Sequence, residues 1–269
     1  FLVLSRIKME VKIMNLLEVK NLKKVYTSLG MNKTEALKDI NFSVEKGEFI
    51  AIMGESGSGK TTLLNILASL DKASSGEVYL EGKLINNIKD KDLASFRRDN
   101  LGFVFQEFNL LDTFNLKDNI LLPLVLANNN YKDMNAKLNP LARKLGIFEL
   151  LSKYPYEVSG GQKQRAAVCR ALINNPKLVL ADEPTGALDS KSTDELLKAF
   201  VDINKMGQTI LMVTHSIKAA SIADRVLFIK DGKIFHEIYK GSDTNSEFYE
   251  KISNTLTLLV LKEKENENL

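Results

Sequence analysis

The 269-residue chain has a single cysteine, Cys169, and no tryptophan. One thiol can form neither an intrachain disulfide nor a Cys-rich zinc site, and a lone reduced cysteine fits a cytoplasmic setting. A run of about 18 apolar residues, enough to span a bilayer, is missing. The longest candidates are 120–127, interrupted by Pro123, and 256–261. The four apolar residues that open the chain fall short of the roughly 7–15 of a secretory core, so no export signal is read there. An excess of one charge is also lacking: 37 basic and 34 acidic residues leave +3, which argues against a nucleic-acid partner. Nothing repeats every 20–50 residues, which excludes solenoids and propellers. The first residue is Phe1, so Met9 or Met14 is the expected natural start, with the residues before it not native, and 1–14 reads as an N-terminal tail.

An apolar fraction of 44% with 26% charged residues is ordinary for a globular chain, long enough to bury a core without staples. Residues 16–26, 42–44 and 76–80 read as strands, and so does the apolar run 48–53 before Gly54, with a helix expected from Lys60 to Ser69. Helical stripes fill 108–163: Leu116, Ile120, Leu121 and Leu124, then Leu138, Leu141 and Leu145. They are separated by Asn128-Asn129-Asn130 and by Pro140, and read as a helical insertion. Strands at 178–181, 209–214 and 225–229 then alternate with helices at 190–204 and 216–223, predicting a parallel sheet covered on both faces. Charged, Asn-rich 262–269 reads as disordered.

Gly54-Glu55-Ser56-Gly57-Ser58-Gly59-Lys60-Thr61 matches G-x-x-x-x-G-K-[ST]. Glycines let successive N–H groups turn inward, and the following helix adds the positive end of its dipole. Lys60 would reach the β- and γ-phosphates and Thr61 would ligate Mg²⁺. A turn that binds nothing is the alternative; a strand before it and a helix after it favour the phosphate loop. Leu178-Val179-Leu180-Ala181-Asp182-Glu183 is an apolar strand ending in two acids, which puts carboxylates at the tip of a sheet. Asp182 would hold Mg²⁺ and Glu183 would polarise an attacking water. Ser159-Gly160-Gly161-Gln162 opens another helix and forms a second anion site. One phosphate loop suffices for one triphosphate, so this turn is expected to grip the γ-phosphate of a neighbouring chain's nucleotide. An ordinary N-cap is the simpler alternative.

That turn resembles the signature motif of ATP-binding cassette (ABC) ATPases, and the order of the other motifs agrees over about 16–240. The resemblance implies an α/β P-loop NTPase with the ABC ATPase fold. Its expected parts are a mostly parallel sheet core, an antiparallel β subdomain and an inserted helical subdomain at about 107–165, together spanning 15–245. A C-terminal helix and disordered tail follow over 246–269. ATP and Mg²⁺ are the implied ligands. Tyr26 would stack on adenine, and the loop from Gly54 to Thr62 would hold the phosphates. Thr61, Gln106 and Asp182 would hold the metal. Lys60, Gln106 of Phe103-Val104-Phe105-Gln106, Glu183 and His215 form the implied catalytic set, with His215 the switch histidine. Ser159, Gly160, Gly161, Gln162 and the D-loop residue Asp189 would act on the partner chain's nucleotide. Val158 stands where leucine is usual.

Leu101–Gln106 with Phe108-Asn109-Leu110-Leu111 is similar to the MacB/LolD branch. Leu110–Thr113, Lys153-Tyr154-Pro155-Tyr156-Glu157 and Thr214-His215-Ser216 look like Bce-type ATPases of antimicrobial-peptide resistance. The resemblance implies an ATP-dependent homodimer on the inner face of the plasma membrane. It would sit beneath a permease with an extracellular domain, which can signal to a sensor histidine kinase. A MacB/LolD-type lipoprotein or macrolide exporter, or a division-type regulatory ATPase, is the alternative. Chromosome ATPases need a long coiled coil that is absent here. Residues 106–113 would line the groove for the permease, with core packing the other reading for Phe108, Leu110 and Leu111. Cys169 reads as core and Arg97-Arg98 as a solvated or permease-facing pair. Phe248, Ile252, Leu256 and Leu259 form a stripe that packs on the core or supports a partner.

Overall fold

The computed structural model describes residues 15–27 and 33–267, with side chains through Leu258; residues 1–14 lie outside it. Two long strands, β1 (Asn15–Thr27) and β2 (Lys33–Glu45), pair antiparallel. β3 (Phe49–Met53) leads through the glycine loop into α1 (Lys60–Leu67). The chain returns to the first sheet as β4 (Ser75–Leu80) and β5 (Lys83–Leu84), then forms α2 (Asp90–Asn100) and β6 (Leu101–Val104). The helical insertion contains α3 (Leu116–Leu126), α4 (Tyr131–Lys144) and α5 (Gly160–Leu172). The remaining elements are β7 (Leu178–Asp182), α6 (Ser190–Asn204), β8 (Thr209–Val213), α7 (Ile217–Ala220), β9 (Arg225–Lys230), β10 (Lys233–Tyr239) and α8 (Asn245–Glu267).

Strands β10-β9-β3-β8-β7-β6 form one sheet, parallel except for the β9–β10 pair, and β2-β1-β4-β5 form an antiparallel second sheet. Strands β3, β7, β8 and β9 are apolar on both faces, as a covered parallel sheet requires. Alternation sends Phe49, Met53, Val179, Met212 and Phe228 into one core beneath the helices. Ile50, Ile52, Leu180, Leu211 and Leu227 enter another, beneath α1 and the antiparallel sheet. Phe248 and Ile252 of α8 are fully buried in the first core and Leu256 packs against it; the side chain of Leu259 lies outside the described residues. Cys169 is buried, and burial pushes its thiol pKa up.

Three expectations need correction. Pro140 does not separate two helices: α4 runs through it, as α3 runs through Pro123. Burial of Leu124 and Leu138 in the core offsets the lost backbone bond. The helical backbone of α8 reaches Glu267, where disorder was expected from Lys262; Lys and Glu are good helix formers and continue a helix already docked at Phe248. Residues 42–44 are only the end of the 13-residue β2.

Candidate nucleotide site

The sheet order places the sequence-predicted groups along one edge. Ile52 of β3 is level with Val213 of β8, Val213 with Asp182 of β7, and Ala181 with Val104 of β6. The Gly54 loop, His215, Asp182-Glu183 and Gln106 each follow one of these strand ends, so all four meet at the carboxyl edge, where open parallel sheets bind ligands.

The loop is shaped by close approach. A Cβ on Gly54 would lie 2.2 Å from the Ile229 carbonyl oxygen. Gly59 has φ +105°, and a Cβ there would meet the Ala36 carbonyl oxygen at 2.6 Å. Lys60 Nζ donates to the carbonyls of Gly54 (2.8 Å) and Glu55 (2.6 Å). Burial lowers its pKa against the opposing pull of Glu183 and Asp182. Glu55, Ser56, Gly57 and Thr61 are exposed and Thr62 is half-buried. The buried Ser58 hydroxyl has no partner within the chain.

Asp182 is half-buried, and burial raises its pKa; neighbouring Glu183 adds to the rise and Lys60 opposes it. Glu183 has φ +45°, strained for a residue with a side chain. Its N–H donates to the Val213 carbonyl at 2.9 Å. His215 grips its carboxylate twice: Nδ1 lies 3.0 Å from Oε1, and the backbone N–H donates to Oε2 at 3.2 Å. Gln106 packs against Gly186, whose Cβ would sit 3.1 Å from its side-chain amide. Tyr26, on the antiparallel sheet, donates its hydroxyl to Asp71 Oδ2 at 2.7 Å, and Lys24 Nζ lies 4.6 Å from its ring centroid.

Ser159, Gly160, Gly161, Gln162 and Asp189 form a second group, at the N-termini of α5 and α6. Exposed Ser159 caps α5: its Oγ accepts from the Gln162 N–H (3.3 Å), and its own N–H donates to Gln162 Oε1 (2.9 Å). Asp189 caps α6, accepting from the Ser192 N–H (2.9 Å) and hydroxyl (2.7 Å), and these bonds hold its carboxyl pKa down.

Sequence reading missed Gln164, Asp71 and Ser192. Only Gln164 left a local trace, as a polar residue at the helical spacing of buried Gly161, Ala167 and Val168.

The profile of the ABC transporter family matches residues 37–186, from within β2 to just past Glu183. The chain belongs to the ABC transporter family. The cassette is 51% identical to the bacitracin export ATP-binding protein BceA of Halalkalibacterium halodurans, over 91% of this chain and 97% of that protein. It is also 51% identical to the ABC transporter ATP-binding protein YxdL of Bacillus subtilis, over 91% of this chain and 95% of YxdL. The macrolide export ATP-binding/permease protein MacB of Mannheimia succiniciproducens is 41% identical over 87% of this chain, which spans 36% of MacB. The dimeric structure of the bacterial ABC transporter cassette MJ0796 superposes with a TM-score of 0.76 at 38% identity, covering 83% of this chain and 98% of MJ0796. A post-hydrolysis dimer of MJ0796 with ADP and phosphate matches equally well. The cassette is therefore an ATP-binding, ATP-hydrolysing subunit of an ABC transporter, with the fold expected from its motifs. Among the described residues, no helix is long and apolar enough to cross a membrane.

Proposed function

We propose that two copies of the cassette close head to tail on two Mg·ATP and drive a permease that exports, or protects against, antimicrobial peptides of the bacitracin or lantibiotic type. The observation that carries this reading is 51% identity over nearly the full length of a bacitracin export ATP-binding protein.

Glycine-loop N–H groups and Lys60 would hold the phosphates, and Tyr26 the adenine. Thr61, Asp182 and Gln106 offer hard oxygen donors suited to Mg²⁺. Among the described residues no cluster of His, Cys, Asp and Glu could hold a metal alone, which fits an ion shared with substrate phosphates. Bound there, Mg²⁺ would neutralise charge on the β- and γ-phosphates. Glu183 aligns the attacking water, and His215 holds that carboxylate in place and faces the terminal phosphoryl. Ser159, Gly160, Gly161, Gln162 and Asp189 serve the opposite protomer's nucleotide. Hydrolysis of the β–γ bond releases as free phosphate the group that joins the halves, so the dimer loosens and the permease moves.

A groove of about 380 Å³ lies between sheet core and helical insertion, lined by Arg97, Arg98, Phe103, Phe105, Asn109 and Arg170. It adjoins the 106–113 segment and suits a cytoplasmic helix of the permease. Leu110 packs on the core and Leu111 is exposed beside it. This docking would place the cassette on the inner face of the plasma membrane, and a sensor histidine kinase would be reached only through the permease. Co-purification with the permease tests the reading. Bacitracin or a lantibiotic should then change ATPase activity, and Glu183→Gln should abolish cellular resistance. Resistance that survives Glu183→Gln contradicts it.

A further inference from the structure

Gln164, in the helix that begins at the Ser159 turn, is completely buried. Its Nε2 donates to the carbonyls of Phe105 (3.0 Å) and Pro184 (2.7 Å). Two carbonyl acceptors fix the orientation of the amide. Oε1 is buried without a partner in the chain. A buried amide with an unpaired acceptor is destabilising beside an apolar side chain of equal size, so packing alone does not account for glutamine here. Its two contacts do: Phe105 precedes Gln106 and Pro184 follows Glu183. One side chain thus joins α5 to both segments that act on the chain's own nucleotide.

We propose that Gln164 is a positioning residue that couples the two nucleotide sites of the dimer. The inference rests on the head-to-tail reading above. In it, the Ser159 turn is drawn onto the neighbour's γ-phosphate. That displacement passes along α5 through the Gln164 amide and sets Gln106 and Glu183 against the chain's own nucleotide. Glu183 has φ +45°, a conformation that such bracing would help to hold.

The test uses the full-length chain with Gln164→Leu and Gln164→Glu. In Gln164→Leu, ATP affinity of the monomer should stay within about twofold. The kcat should fall about tenfold to a hundredfold, as for two lost hydrogen bonds. The Hill coefficient for ATP should drop from near the two-site limit of about 2 to about 1. In the nucleotide-free protein, amide exchange should quicken at 105–109 and 184–188 while the α5 interior stays protected. In Gln164→Glu, a carboxyl facing two carbonyls has a raised pKa and only its protonated form donates. Activity relative to wild type should therefore partly recover between about pH 8 and about pH 6, unlike in Gln164→Leu. A Gln164→Leu protein with wild-type kcat, Hill coefficient and exchange, and only a lower Tm, overturns the inference alone. A wild-type Hill coefficient of 1 also overturns the inference, and it leaves the head-to-tail reading to be tested by mixing Lys60→Ala chains with Ser159→Arg chains.

Discussion

Gly161 approaches Ser192 so closely that a Cβ on the glycine would sit 2.5 Å from the Ser192 hydroxyl oxygen. The same hydroxyl donates to Asp189, so the helix that follows the Ser159 turn packs directly against the α6 cap. Gly161→Ala should leave ATP binding by the monomer intact and cut hydrolysis by at least tenfold, about 1.4 kcal/mol. Adding Ser192→Gly removes the atoms in the way and should restore part of the activity. Steady-state ATPase assays on both variants check this.

Glu183 is held at both carboxylate oxygens by His215. Glu183→Gln keeps the shape and removes the base. Turnover should fall by about 10²–10⁴-fold, the usual contribution of such a group, while ATP leaves a stable dimer. Phosphate release and light scattering report the two effects separately. Normal turnover would remove Glu183 from that role.

Asp182 has a folded-state pKa raised by burial and by Glu183. Its ionised form therefore costs stability at neutral pH. That cost vanishes as pH falls below the unfolded value of about 3.9. Asp182→Asn should raise the Tm of the nucleotide-free cassette by on the order of 2 °C near neutral pH. The gain should shrink towards acid pH, and activity should be lost. Calorimetry across pH checks the sign.

Asp71 holds the Tyr26 hydroxyl and the Lys24 ammonium that lies over the same ring. Asp71→Ala removes the carboxylate partner of both and leaves Lys24 Nζ only its bond to the Lys72 carbonyl (2.7 Å). The KM for ATP should rise about threefold to tenfold with little change in kcat, as expected for lost uniform binding. The same assay with Tyr26→Ala should show a larger rise in KM.

Where structure follows from local pattern, the sequence was enough. The run Phe49–Met53 stops at a glycine loop whose glycines carry the sharp turns, and Leu178–Asp182 is apolar until its acids. The strand order that unites these ends could be anticipated only for neighbours β7 and β8. Much of β2 escaped notice because Lys33, Glu35, Lys38 and Asp39 interrupt its alternation, and β10 because it is an edge strand with mostly exposed side chains. Gln164 and Asp71 act on groups tens of residues away in the chain. Their hydrogen bonds exist only after folding, so no spacing announces them.

The central claim is that each nucleotide lies between the phosphate loop of one chain and the Ser159 turn of another. Mixing Lys60→Ala chains with Ser159→Arg chains tests it most directly. Each variant alone should be inactive. Unbiased mixing makes half the dimers hybrid, and each hybrid carries one intact site, so an equal mixture should regain measurable activity: about a quarter of wild type for independent sites, and less in proportion to the coupling through Gln164. A mixture no more active than its separate components would place both defects in the same site and contradict the account.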